Sequence, residues 1–487
     1  MFCDETSKTQ QKIRQRDASS QGSYRTSAAN IALADTWIPE RSFTGSISRI
    51  PVYSMRPSME DFAICNFYHA TLENLSDKDP VRYLHTLLPN LYSQSRPGSA
   101  LCLATEAISY AASSRLVQEA TPLSRNRYVQ AIKALKNALQ DPREVNSDQA
   151  LYAILLLCGY ETMVWSSSEP PEWRAHVDGA AAVLKLRTEN KLHTSASHSM
   201  FFFIKKSVVI SHLQIPRPVD KIFTEPDAAT FLHDSLEDQL ISISAAMPKL
   251  QHIGIGLFTQ LRYTSKSDIE IFMSSAKTLD CQLSDWATKA MDSWPYSTAT
   301  NVSRIARPEF SPYEIHRYPD FYIARVWNFY RVSRLIILSL LIRAASWWLR
   351  VSPEPLPDYF DVLKGEARSR SLVDEICASV PFLLGNDLSR MKLPVTRTWR
   401  QQEQEHPGST RSTPAKKAGV KGIGSFSLIW PLHVACSASS VPEIQREWMR
   451  TQLRLIAERG ESGAHFVSAT ESQTLLGGAE NFQFDCV

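Results

Sequence analysis

The chain has 487 residues, more than one ordinary domain, so it is long enough for one large or two fused units with a substantial core. It is 43% hydrophobic and 21% charged, near the usual values for a globular protein, and a formal net charge of +3 excludes a uniformly basic nucleic-acid-binding surface. Its eight cysteines, Cys3, Cys65, Cys102, Cys158, Cys281, Cys377, Cys436 and Cys486, stand far apart. Neither a disulfide-dense secreted scaffold nor a zinc module spaces its cysteines in this way. The N-terminus has no apolar signal core, and the longest strongly apolar run, 335–342, is far shorter than the ~20 residues a membrane span needs. The reading is a soluble, intracellular chain with reduced thiols and no membrane contact.

Residues 1–44 are rich in Ser, Thr, Gln and Arg with little periodicity, and read as a flexible leader. Helical patterning then dominates. Ser58 with Asp61 three residues on is a helix-start signal, and Ile64, Tyr68, Leu72 and Leu75 follow on one face. Pro80 opens a helix carrying Leu84, Leu87, Leu88 and Leu91. Ser99 starts another, lined by Ala100, Ala104, Ala107 and Ala111, small enough for close helix packing. Thr121-Pro122 reads as a cap followed by Pro at the first helical position, before Tyr128, Ile132, Leu135 and Leu139. Further helices are predicted over 147–165, 172–187, 199–213, 226–246, 266–292, 318–350, 366–384, 427–439 and 441–459. Strand signals are weak, and no Asn-Gly or Asp-Gly turn joins two alternating runs. The fold expected is all-α: packed helix pairs over 45–470, a polar loop inserted at 400–425, and a tail at 471–487.

No catalytic motif survives inspection. The Gly-x-Ser-x-Gly elbow, the His-Glu-x-x-His zinc helix and a clustered-acid magnesium site are all missing from the sequence. The stretch GVKGIG at 419–424 lacks the Gly-Lys-Ser/Thr ending of a phosphate loop and reads as a loop before a helix. Asp358 and Asp361 share a Pro-rich loop and read as solvated acids. His176 and Asp178 are two residues apart, so a helix does not bring them face to face. Two basic stretches, Lys12, Arg14 and Arg16 in the leader and Arg411, Lys416, Lys417 and Lys421 in the polar loop, have the chemistry of phosphate contact.

Several blocks, taken in order, resemble the fungal-specific transcription factor domain of binuclear zinc-cluster regulators. They are LLPNLY at 87–92, SALCLATEAISYAASSRL at 99–116, RYVQAIKALKNALQDP at 127–142, ALYAILLLCGYE at 150–161 and WRAHVDGAAAVLKLR at 173–187. ARVWNFYRVSRLIIL at 324–338, LIWPLHVAC at 428–436 and REWMRTQLRLIAE at 446–458 complete the set. The same blocks have a packing reading: Trp173, Trp327 and Trp430 are large anchors between helices, and Arg325, Arg331 and Arg334 recur at spacings that suit acids on a neighbouring helix.

The resemblance implies a nuclear transcription regulator, not an enzyme, acting on a fungal gene cluster of the specialised-metabolite kind. In that family a six-cysteine zinc module lies near the N-terminus, and the leader here resembles the linker that follows it. Cys3 cannot replace that module, because each zinc needs four thiolate contacts and the next cysteine is Cys65. The expectation is therefore a regulator without its own zinc cluster and with no cofactor or metal. Its own DNA contact would be weak and non-specific, through Lys12, Arg14 and Arg16. It would work through a partner protein, a zinc-cluster transcription factor or a second copy of itself. A helical scaffold that modulates a partner, or an enzyme with an unrecognised site, are the alternatives.

Overall fold

A computed structural model describes residues 58–394 and 421–459 together with Ala464, apart from residues 78, 114–119, 165–172, 191–193, 195, 226–234, 260–264, 301–309, 353–354 and 357–359. The leader at 1–44 and the tail at 471–487 lie outside the described residues. The architecture is all-α, as the periodicity predicts, with one two-stranded hairpin.

The first bundle contains α1 (Met59–Asn74), α2 (Pro80–Gln94), α3 (Ala100–Ser113), α4 (Ala120–Ala138), α5 (Asp148–Val164) and α6 (Trp173–Glu189). Ser58 caps α1 by accepting from the Asp61 backbone N–H at 3.0 Å. Helix α3 is buried on nearly every side, and Ala100, Ala104, Ala107 and Ala111 let α4 and α5 come close to it. Helix α5 has a continuous run of buried residues from Ala150 to Cys158, the pattern of a helix enclosed all round. Thr121 lies inside α4, which begins at Ala120, so the helix starts two residues earlier than predicted, an ordinary discrepancy at a helix end.

Helix α7 (Ser197–Gln214) is about 27 Å long and belongs to both halves of the molecule. Met200, Phe201, Ile204 and Val208 pack into the first core, while Val209 and Leu213 pack into the second. After α8 (Lys221–Thr224) come α9 (Leu236–Ser244), α10 (Met247–Thr259) and α11 (Lys266–Ser293). Helix α10 falls between two predicted helices and was not expected. Pro248 and two glycines obscure its pattern, yet Gly254 is there for packing: a Cβ would meet the Phe272 ring at 3.1 Å.

Strands β1 (Ser297–Thr300) and β2 (Glu314–Arg317) pair antiparallel, with Ser297 opposite Arg317 and Thr300 opposite Glu314. The second core is organised on α12 (Phe321–Val351), a 31-residue helix sandwiched by α11 and α13 (Val362–Leu383). It begins at the Asp320 cap, after Tyr318 has left the hairpin, rather than at 318 as predicted. It is long and apolar enough to cross a membrane by length and composition, but most of it is buried inside the protein. Helices α14 (Lys421–Phe426), α15 (Ile429–Cys436) and α16 (Glu443–Glu458) close this body. The predicted loop at 400–425 therefore ends earlier than expected, because residues 421–426 are helical.

Candidate functional site

The sequence-predicted contacts Lys12, Arg14 and Arg16 lie outside the described residues, as do Arg411, Lys416, Lys417 and Asp358. Lys421 opens α14. The glycine-rich stretch before α15 has a packing purpose: a Cβ on Gly424 would lie 2.1 Å from the Leu383 carbonyl oxygen, so this glycine is needed for close approach to α13. Asp361 caps α13 by accepting from the Lys364 N–H at 3.1 Å.

His176 and Asp178 are not brought together. His176 is buried, 3.2 Å from the Tyr128 hydroxyl. Asp178 accepts two bonds from the Arg217 guanidinium, each 3.1 Å, and lies 3.8 Å from His212. Burial works against its charge, but His212 and Arg217 hold its carboxyl below the usual range. Cys158 and Cys436 have thiols pushed up to about 12, chiefly by burial, which leaves little thiolate at neutral pH. Among the described residues no group of three or more His, Cys, Asp or Glu side chains is arranged to hold a metal ion.

Three polar clusters remain. The first lines an open groove of ≈ 570 Å³ between α4 and the ends of α1 and α3. Arg127 meets Glu106 at 2.6 Å, with Glu60, Gln130 and Lys133 alongside. Burial lifts the Glu106 carboxyl above its ordinary range, and Glu60 adds to the rise against the opposing pull of Arg127. The groove carries two acids against two cations, so its charges balance locally.

The second cluster is the interior of the α12–α13 body. The Arg331 side chain is fully buried, bonds Glu375 at 3.1 Å, and donates to Tyr318 at 2.8 Å and to Asn328 at 2.9 Å. Tyr296, Tyr318 and Trp327 surround it with ring centroids 5.4, 5.8 and 5.8 Å from the guanidinium carbon. Arg334 pairs with Asp280 on α11 at 2.7 Å. The arginines that recur along α12 thus find the acids that their spacing led us to expect.

The third cluster lies where the two cores meet. Arg325, on the first turns of α12, pairs with Asp79 in the α1–α2 connection at 2.9 Å. Beside it, Ser76 donates to Asp320 at 2.8 Å. From α7, Lys205 bonds Asp238 at 2.9 Å and Ser242 at 2.7 Å, and Lys206 pairs with Glu237. Burial and the nearby Arg325 charge lower the Lys206 pKa, partly offset by Glu237 and Asp79. Burial opposes the charge of Arg325 as well, but Asp79 and Glu237 outweigh it and hold the guanidinium firmly charged. No sequence pattern marks this cluster, since Asp79 and Arg325 are 246 positions apart.

Ion pairs between elements run through each of these clusters. The comparisons fit such a scaffold. Residues 65–211 match the profile of the fungal specific transcription factor domain, from the middle of α1 almost to the end of α7. The matched segment is thus essentially the first core with the helix that leads into the second. The chain is also similar to "Transcription factor dbaG" of Emericella nidulans, 22% identical over 340 residues that make up 68% of this chain and 72% of that protein. No solved structure matches it significantly. Residues 65–211 of the chain thus carry the match to the fungal specific transcription factor domain.

Proposed function

We propose that the protein regulates transcription of a set of fungal genes and does so through its helical body. The observation that carries this reading is the coincidence of the matched domain with a complete structural unit, the first core, in a chain similar to a fungal transcription factor. It is supported by the engagement of the described buried charges in structural pairs. A nuclear location follows from the role. Control of a specialised-metabolite gene cluster is the finer form of the proposal, and rests on the family resemblance alone.

Sequence-specific recognition needs a rigid element that reads base edges. We assign that part to a partner, a zinc-cluster factor or a second copy of this chain, with Lys12, Arg14 and Arg16 adding salt-sensitive phosphate contacts. The test pairs deletion of the gene with tagging of the protein. Altered transcripts, with nuclear co-precipitation of a zinc-cluster factor, are expected. An exclusively cytosolic protein whose loss leaves transcripts unchanged would overturn the proposal.

A further inference from the structure

The two apolar cores are joined in an uneven way. The helices of the first bundle pack on one another and on α7, and α7 in turn packs on α9 and α10. Away from α7, two polar bonds among the described residues tie the first bundle to the start of α12: Asp79 to Arg325 and Ser76 to Asp320. Behind them, Lys206 and Glu237 place a further buried ion pair at the same junction. The four charges sum to zero and face one another in a tight group.

A seam of this composition behaves differently from an apolar one. Parting two apolar faces exposes area to water with no compensation. Parting charged groups lets water replace the lost partner, so both the closed and the opened arrangement keep the groups solvated or paired. Polar contacts between bodies of one chain are accordingly those across which relative motion is the default. The pairing is at the same time specific, since Arg325 left in place without Asp79 would be a partly buried cation short of its nearest acid.

We propose that Asp79–Arg325 and Ser76–Asp320 form a latch, and that the first bundle swings on α7 away from the start of α12 when the latch releases. Helix α7 is the axle because, among the described helices, it alone contributes to both cores, and the α1–α2 connection is the catch. Opening exposes Arg325, Lys206 and Glu237 on one side and Asp79 on the other. The inference concerns the motion of the fold and stands apart from the transcriptional reading.

Hydrogen–deuterium exchange on the full chain tests it, together with small-angle scattering. Asp79→Asn removes the charge but keeps a side chain able to cap α2. In that variant, amides of the α1–α2 connection and of Phe321–Arg325 should exchange at least tenfold faster, while those of α5 stay as in the wild type. The radius of gyration should rise. Charge exchange in the double variant Asp79→Arg with Arg325→Asp should restore slow exchange and the compact radius. Unchanged exchange at both latch segments would overturn the proposal. So would acceleration that includes α5, or an unchanged radius of gyration, since these are the marks of a pair that only adds general stability.

Discussion

The two cores solve the same packing problem with different residues. Around α3 the first uses small side chains: Ala100, Ala104, Ala107 and Ala111 on α3 share a core with Ala131 on α4 and Ala153 on α5, and these helices pack on one another. The second is built on large ones. Trp286, Trp327 and Tyr330 form a cluster with ring centroids 5.4 to 5.7 Å apart, and Arg331 sits against its edge. The first core therefore tolerates added volume poorly, while the second depends on volume and on a buried charge already in place. The domain match ends near the boundary between them.

The largest effects should come from hollowing the second core. Trp327→Ala removes a buried ring that also donates to the Trp294 carbonyl at 3.1 Å, and should cost about 4 kcal/mol in chemical denaturation. Retention of wild-type stability would show that the aromatic cluster is not the organising element. Arg331→Leu should follow at about 3 kcal/mol, because it strips Glu375 of its buried partner and removes the guanidinium bond to the Tyr318 hydroxyl. A variant more stable than wild type would mean that the charge is carried at a net cost.

The same core should be sensitive to acid. His316 is buried between Tyr296 and Tyr318, and burial, reinforced by the Arg331 charge, holds its pKa down at about 2. An unfolded histidine titrates near ~6.5, so below that pH the unfolded chain binds a proton that the folded one refuses. This contribution is complete above ~6.5 and falls away as the pH drops towards 2. Urea titrations from neutral to mildly acidic pH should show His316→Gln with a flatter profile than the wild type. Parallel profiles would remove the histidine from the account.

Overfilling the first core should have the smallest of these effects. Ala107→Leu puts added carbons into a fully buried position where α3, α4 and α5 meet, and should cost about 1–3 kcal/mol by calorimetry. Leu in place of the half-exposed Ala134 should have little effect, and an equal loss at both positions would contradict the close-packing account.

Much of this architecture was legible in the sequence because it is local. The alanine spacing marks α3, the Ser58 and Asp61 pair marks the start of α1, and the aromatic and aliphatic run marks α12. Elements without such local signals escaped. Helix α10 begins with Pro248 in its first turn and contains Gly254 and Gly256, so its periodicity is thin. The hairpin pairs two four-residue strands across 301–313, with no tight-turn dipeptide to announce it. The arginines of α12 were visible as candidates for pairing, whereas their acids come from the α1–α2 connection, α11 and α13 and become partners only on folding. The leader cations, to which the sequence reading assigns DNA contact, lie outside the described residues.

Tethering tests the regulatory reading most directly, because it removes the question of how the protein finds its genes. The full chain is fused to an unrelated DNA-binding domain, and a reporter that carries that domain's site is read out. The account predicts reporter output different from that of the DNA-binding domain alone, and loss of the difference in Leu151→Asp, which places a charge at a fully buried position of the first core. A folded, nuclear fusion that leaves the reporter at the level of the DNA-binding domain alone would contradict it.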